Sequence, residues 1–156
     1  WANTDDQIRR VKFNKGSFTN YASGSEVVVL GCDDDEADDG TSFFEELTYK
    51  TLASSGELRT DTFTAKDYIL VQALTKIPES TASWGFNDDL SSSSGNYGGG
   101  GQANGGSAYN SSSTHSWFMG NADHTTWEYV FAYIVNKSTE NKLLLTAAPD
   151  GYLKRI

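Results

Sequence analysis

Between residues 67 and 77, Tyr68, Leu70, Gln72 and Leu74 alternate with Ile69, Val71 and Ala73, and Pro78 follows at once. A period of two sends those two sets to opposite faces of a β-strand. Proline ends the strand because it cannot donate to a ladder. The same signal recurs over 7–14, 25–31, 43–52, 59–63, 83–87, 127–136, 142–147 and 152–156. In 25–31 the run Val27-Val28-Val29-Leu30 is unbroken, which reads as a strand buried on both faces. In 127–136, Tyr129, Phe131, Tyr133 and Val135 oppose Val130, Ala132 and Ile134, and the five residues to the next strand suit a hairpin. No segment sustains a 3.6-residue period with caps. Eight to eleven strands without crossover helices make an antiparallel all-β chain, a β-sandwich or jelly roll.

Composition agrees with many short strands and turns. Ser and Thr supply 33 of the 156 residues, beside 15 Gly and 10 Asn. The length fits one domain over 1–156. Trp at position 1 and a strand pattern at the end suggest one repeat, or a processed segment, of a longer chain. A net charge of −9, with 12 scattered basic residues, argues against nucleic acid as a partner. The chain has no 18-residue apolar run and hence no helical membrane span. Cys32 is the single cysteine, so no intrachain disulfide forms, and it reads as a small buried hydrophobe.

Three features stand outside the strand pattern. The first is an acidic run of Asp33, Asp34, Asp35, Glu36, Asp38 and Asp39, closed by Gly40. These carboxylates repel one another unless solvated or neutralised by a cation. Asp35, Asp39, Gly40 and Glu46 fall at the first, fifth, sixth and twelfth positions of a calcium loop, but Ala37 takes the third, where a ligand is needed. Asp33, Asp35, Asp39 and Glu46 are therefore the candidate Ca²⁺ ligands, set against a plain solvated loop. The adjacent Glu45 and Glu46 should point to opposite faces, which would bring one of them inside and require a partner.

The second is the polar stretch 88–113, with Ser91 to Ser94 and Gly98 to Gly101, read as an elaborated loop or two poor strands around a tip. Tyr97 and Tyr109 within it, and Trp117 beyond it, are candidate contacts for a sugar or protein partner. Trp127, Tyr129 and Tyr133 alternate and suit core or inter-subunit packing better. The third is a pair of N-glycosylation patterns, Asn110-Ser111-Ser112 and Asn136-Lys137-Ser138. His115 and His124 have no nucleophile elbow or helix to organise them and read as surface residues. Nothing in the sequence composes a catalytic constellation.

Several stretches carry a resemblance: Trp1-Ala2-Asn3-Thr4, Gly24 to Gly31, Phe63-Thr64-Ala65-Lys66 and Tyr68 to Gln72. Phe86-Asn87-Asp88-Asp89, Gly95-Asn96-Tyr97, Asn104-Gly105-Gly106, and Ile134-Val135-Asn136 with Glu140 to Leu143 extend it over most of the chain. Together they resemble the jelly-roll, concanavalin-like repeat modules of predicted structural proteins of environmental viruses and proviruses. In such repeats the opening motif follows a basic segment like Lys154-Arg155-Ile156, which implies tandem copies. The acidic run and the glycine tract depart from the pattern. The resemblance implies a non-enzymatic virion or extracellular structural module that assembles with itself or other structural subunits. The alternative is a lectin-like module binding carbohydrate with the help of calcium.

Overall fold

The computed structural model describes residues 7–14, 20–33, 44–76, 83–87, 97–103, 109–114, 117–118, 127–147 and 152–155. Every regular element among them is a strand: β1 (Val11–Asn14), β2 (Glu26–Cys32), β3 (Glu45–Thr51), β4 (Leu58–Arg59), β5 (Tyr68–Thr75) and β6 (Ser83–Phe86), then β7 (Tyr97–Ala103), β8 (Tyr109–Thr114), β9 (Trp117–Phe118), β10 (Glu128–Val135), β11 (Leu143–Ala147) and β12 (Tyr152–Arg155). They form two antiparallel sheets, a smaller one ordered β4-β1-β6-β9 and a larger one ordered β3-β2-β5-β10-β11-β12-β7-β8.

The strand with the clearest alternation is central. β5 pairs with β2 on one side and β10 on the other, with Val71 opposite both Val29 and Ala132. Its inward set, Ile69, Val71 and Ala73, is buried with Val27, Val29, Val130, Ala132, Ile134 and Leu144. The smaller sheet contributes Val11, Phe13, Leu58 and Phe86 to the same cluster. The chain is thus an all-β sandwich with one apolar layer between its sheets.

Several expectations need correction. Of 59–63, only Arg59 lies in a strand; Thr60 and Phe63 instead bond back to the N-terminal segment, their N–H groups donating to Val11 O and Arg9 O, each at 3.0 Å. For 88–113 the second of the two readings, two strands, is the one observed, as β7 and β8, with β8 running on to Thr114 and Tyr97 and Tyr109 opening the strands. A tract of four glycines has no side-chain pattern, and only its pairing with β8 and β12 makes it a strand. The adjacent acids Glu45 and Glu46 are both exposed. The ladder shifts there: Thr48 faces Val29 and Glu46 faces Leu30, leaving Leu47 as the extra residue of a bulge. The bulge turns Leu47 against the core while Tyr49 faces out, so no glutamate has to enter.

Residues 7–10 lead into β1 and are held by two asparagines rather than by a full ladder. Asn136, fully buried, accepts from Ile8 N at 2.6 Å and donates to Ile8 O at 3.1 Å and Lys66 O at 2.8 Å. Asn87 accepts from Arg9 N at 2.7 Å and donates to Gln7 O at 2.8 Å. The second glycosylation pattern is therefore closed to modification in the folded chain, because its Asn136 amide is enclosed and fully committed.

Tyr21 is buried edge-on to Phe13, with ring centroids 6.1 Å apart, and its hydroxyl has no hydrogen-bond partner among the described residues. Removing an orphaned buried hydroxyl relieves a desolvation penalty of about 1 kcal/mol. Tyr21→Phe should therefore raise the thermal midpoint; a clear fall would show that the hydroxyl is bonded. Burial also pushes the phenol well above its ordinary range. The folded chain keeps that proton after the unfolded chain has lost it, so the contribution of Tyr21 to stability is full below pH about 10 and is lost progressively above it. Tyr21→Phe should flatten that alkaline decline, as read from urea midpoints across the pH range.

Candidate functional site

The outer face of the large sheet concentrates the exposed apolar surface. Strand parity sends Glu26, Val28 and Leu30 of β2 outward with Tyr68, Leu70, Gln72 and Leu74 of β5. Tyr129, Phe131, Tyr133 and Val135 of β10 continue the rows, and Leu143 and Leu145 of β11 complete them. A sheet face solvated in the ordinary way would alternate polar residues here. Instead Tyr129 is 48% exposed, Leu143 and Leu145 each 45%, Phe131 37% and Tyr133 36%. Trp127, just before β10, lies over the turn at Gly24, whose φ of +84° admits glycine readily. Expected as core or inter-subunit residues, Trp127, Tyr129 and Tyr133 are not in the core.

The face has two chemically different parts. Toward β10 and β11 it is aromatic and aliphatic. The Tyr68 and Tyr133 rings stack at 6.3 Å and 15°, and the Lys137 ammonium sits 5.8 Å from the Tyr68 centroid. Partial burial, with Tyr68 and Cys32 adding to it, pushes the Tyr133 phenol upward. Cys32 itself is buried and unbridged, as its place at the end of an apolar run suggested.

Toward β3 and β2 the face carries a shallow depression of about 180 Å³ lined by Glu26, Val28, Tyr49, Gln72, Leu74 and Tyr129. Its rim is fixed by a short relay. The Thr51 hydroxyl donates to Tyr49 Oη at 2.7 Å, and Tyr49 Oη donates to Glu26 Oε2 at 2.8 Å. The Tyr49 ring, 52% exposed, is thereby held in one orientation.

Of the candidate Ca²⁺ ligands, the two that are described, Asp33 and Glu46, do not line this depression. Asp33 lies just past β2, where its Oδ1 accepts from Asp67 N at 2.9 Å and its Oδ2 pairs with Lys66 Nζ at 3.0 Å. Lys66 Nζ also meets Glu45 Oε1 at 2.9 Å, so a lysine ammonium supplies positive charge between two carboxylates. Glu46 is exposed on β3, and Asp35 and Asp39 lie outside the described residues, as do His115 and His124. Among the described residues, no three His, Cys, Asp or Glu side chains are grouped to hold a metal ion. Tyr97, Tyr109 and Trp117 begin β7, β8 and β9. Among the described residues, no helix is long and apolar enough to cross a membrane.

The outer face was the site least visible in advance. Its signal was present in the unbroken apolar run of β2 and the double apolar alternation of β10, both of which asked for burial on two sides. No protein-family model, curated protein or solved structure matches the chain, and its likeness to other proteins therefore adds nothing to what this geometry says.

Proposed function

We propose that this is a non-enzymatic structural module that assembles with further copies of itself through the outer face of its large sheet. One observation carries the reading: β2, β5, β10 and β11 have residues apolar enough for burial on both faces, yet the isolated chain buries only one. The contact centres on Phe131, Tyr133, Leu143 and Leu145, the exposed apolar residues of β10 and β11, with cationic residues at its margin: Lys137 beside the Tyr68 ring and Arg155 of β12, paired with Leu145. The sheet continues past β11 through β12, β7 and β8. Six strands from β5 to β8, at ordinary spacing and rise, offer about 600 Å² per copy. Two such faces reach about 1,200 Å², the lower bound of specific, stable interfaces. The apolar rows of β10 and β11 are also self-complementary, as a two-fold contact requires. The resemblance to repeat modules of viral structural proteins supports placing this assembly in a virion or other extracellular structure, with a jelly-roll sandwich as its scaffold.

Sedimentation of the purified chain tests the reading. Wild type should associate as concentration rises, and added salt should strengthen association by screening the repulsion between copies that each carry −9. Leu145→Glu, at an exposed position, should leave the chain folded and monomeric. A wild type that stays monomeric at every concentration and salt level would overturn the proposal.

A further inference from the structure

We infer that the depression on the β3–β2–β5 side of the outer face is a binding subsite for one neutral hexopyranose unit of a glycan. The inference does not require self-assembly: Gln72, Leu74 and Tyr129 stand at the margin of the contact proposed above, and the monomeric Leu145→Glu chain presents this corner whether or not copies associate.

The chemistry of the lining selects the ligand class. Two exposed tyrosine rings, Tyr49 and Tyr129, stand on the depression, and Val28 and Leu74 supply apolar surface between them. Rings and aliphatic groups of this kind pack against the C–H face of a pyranose. Among these apolar groups stand the Glu26 carboxylate, which only accepts, and the Gln72 amide, which both accepts and donates. The hydroxyl groups of a sugar can satisfy both. The Thr51–Tyr49–Glu26 relay orders the Tyr49 ring and one Glu26 oxygen before any ligand arrives, which lowers the entropy cost of binding.

Other ligands fit less well. Among the described residues, no cationic side chain lines the depression, and Glu26 would repel a phosphate, a sulfate or a uronic acid. At about 180 Å³ it is smaller than the roughly 300 Å³ at which drug-sized sites begin, and it is too shallow to enclose an acyl chain. No metal is needed, which separates this subsite from the calcium-assisted one that the acidic run suggested.

The test is a titration of the full chain with methyl β-glucoside, methyl β-galactoside, methyl α-mannoside and N-acetylglucosamine, followed by amide chemical shifts. At least one should give saturable shifts at Tyr49, Thr51, Gln72 and Tyr129, and these should persist in EDTA. Tyr129→Ala and Glu26→Gln should each weaken binding by about tenfold. Leu145→Glu, which tests assembly, should bind the sugar as wild type does, so either proposal can fail alone. The inference is overturned if none of the four sugars gives saturable shifts, if the Tyr129 and Glu26 variants bind unchanged, or if glucuronate binds as tightly as glucose.

Discussion

Asn136→Ala should cost about 3–5 kcal/mol, as much as truncating a large core side chain. The asparagine side chain makes three bonds, accepting from Ile8 N and donating to Ile8 O in buried positions and donating to Lys66 O in a partly buried one. Its backbone adds two more, with Asn136 N donating to Asp67 O at 2.7 Å and Gln7 Nε2 donating to Asn136 O at 3.0 Å. Alanine keeps the backbone bonds but takes the partner from the buried Ile8 N–H and Ile8 O and from the partly buried Lys66 O. Each orphan costs about 1–3 kcal/mol. Against a total stability of about 5–15 kcal/mol, that is a large share. Asn136→Asp should be worse, because its carboxylate would face two carbonyl oxygens where an amide N–H₂ now donates. Urea unfolding measures the loss. Proteolysis should find residues 7–10 first, since Ile8, at the centre of that segment, is anchored into the core by this side chain. Asn87→Ala, which releases Arg9 and Gln7 at a less buried site, should cost less. Equal stability of Asn136→Ala and wild type would show that the clamp does not hold the N-terminal segment.

That clamp also marks the limit of what the sequence reveals. The strands of the large sheet are legible because a period of two in Ile69, Val71 and Ala73, or in Val130, Ala132 and Ile134, has only one structural meaning. Asn136 follows the β10 pattern inside a glycosylation motif, and nothing local says that its partners lie 128 and 70 residues away. The bulge at Leu47 is equally hidden. Perfect alternation over 43–52 puts Leu47 and Tyr49 on one face; a single extra residue, set by pairing with β2, separates them. The glycines of β7 carry no side-chain signal at all. As for the candidate site, the apolar character of β2 and β10 was plain. Which of their two faces the chain itself covers depends on the placement of the smaller sheet, and that is a property of the whole fold. The acidic run is legible only at its first member. Asp33 is matched by Lys66, a residue far along the chain, and Asp35 and Asp39 lie outside the described residues.

Lys66 gives the second large effect. Gly31→Ala should destabilise the domain by about 2–3 kcal/mol, near the upper end for overpacking. A Cβ built at Gly31 would lie 2.6 Å from Leu47 Cδ1, 2.9 Å from Lys66 Cβ and 3.0 Å from Lys66 Cγ. The Leu47 methyl is the end of a flexible side chain and can swing aside. Lys66 cannot move as freely. Its Cβ sits one bond from the backbone, and its ammonium is held between Asp33 and Glu45. Shifting Lys66 therefore strains the join between the end of β2, the bulged start of β3 and the entry to β5. The two contacts can be separated. Leu47→Ala removes the nearest atom, so the added cost of Gly31→Ala should shrink in that background without vanishing, and the remainder belongs to Lys66. Urea midpoints of the two single variants and the double variant measure that division. A Gly31→Ala chain within about 0.5 kcal/mol of wild type, as for an ordinary surface change, would mean that this corner yields easily. In that case the ion pairs around Lys66 would not be what fixes the β2–β3 register beside the candidate face.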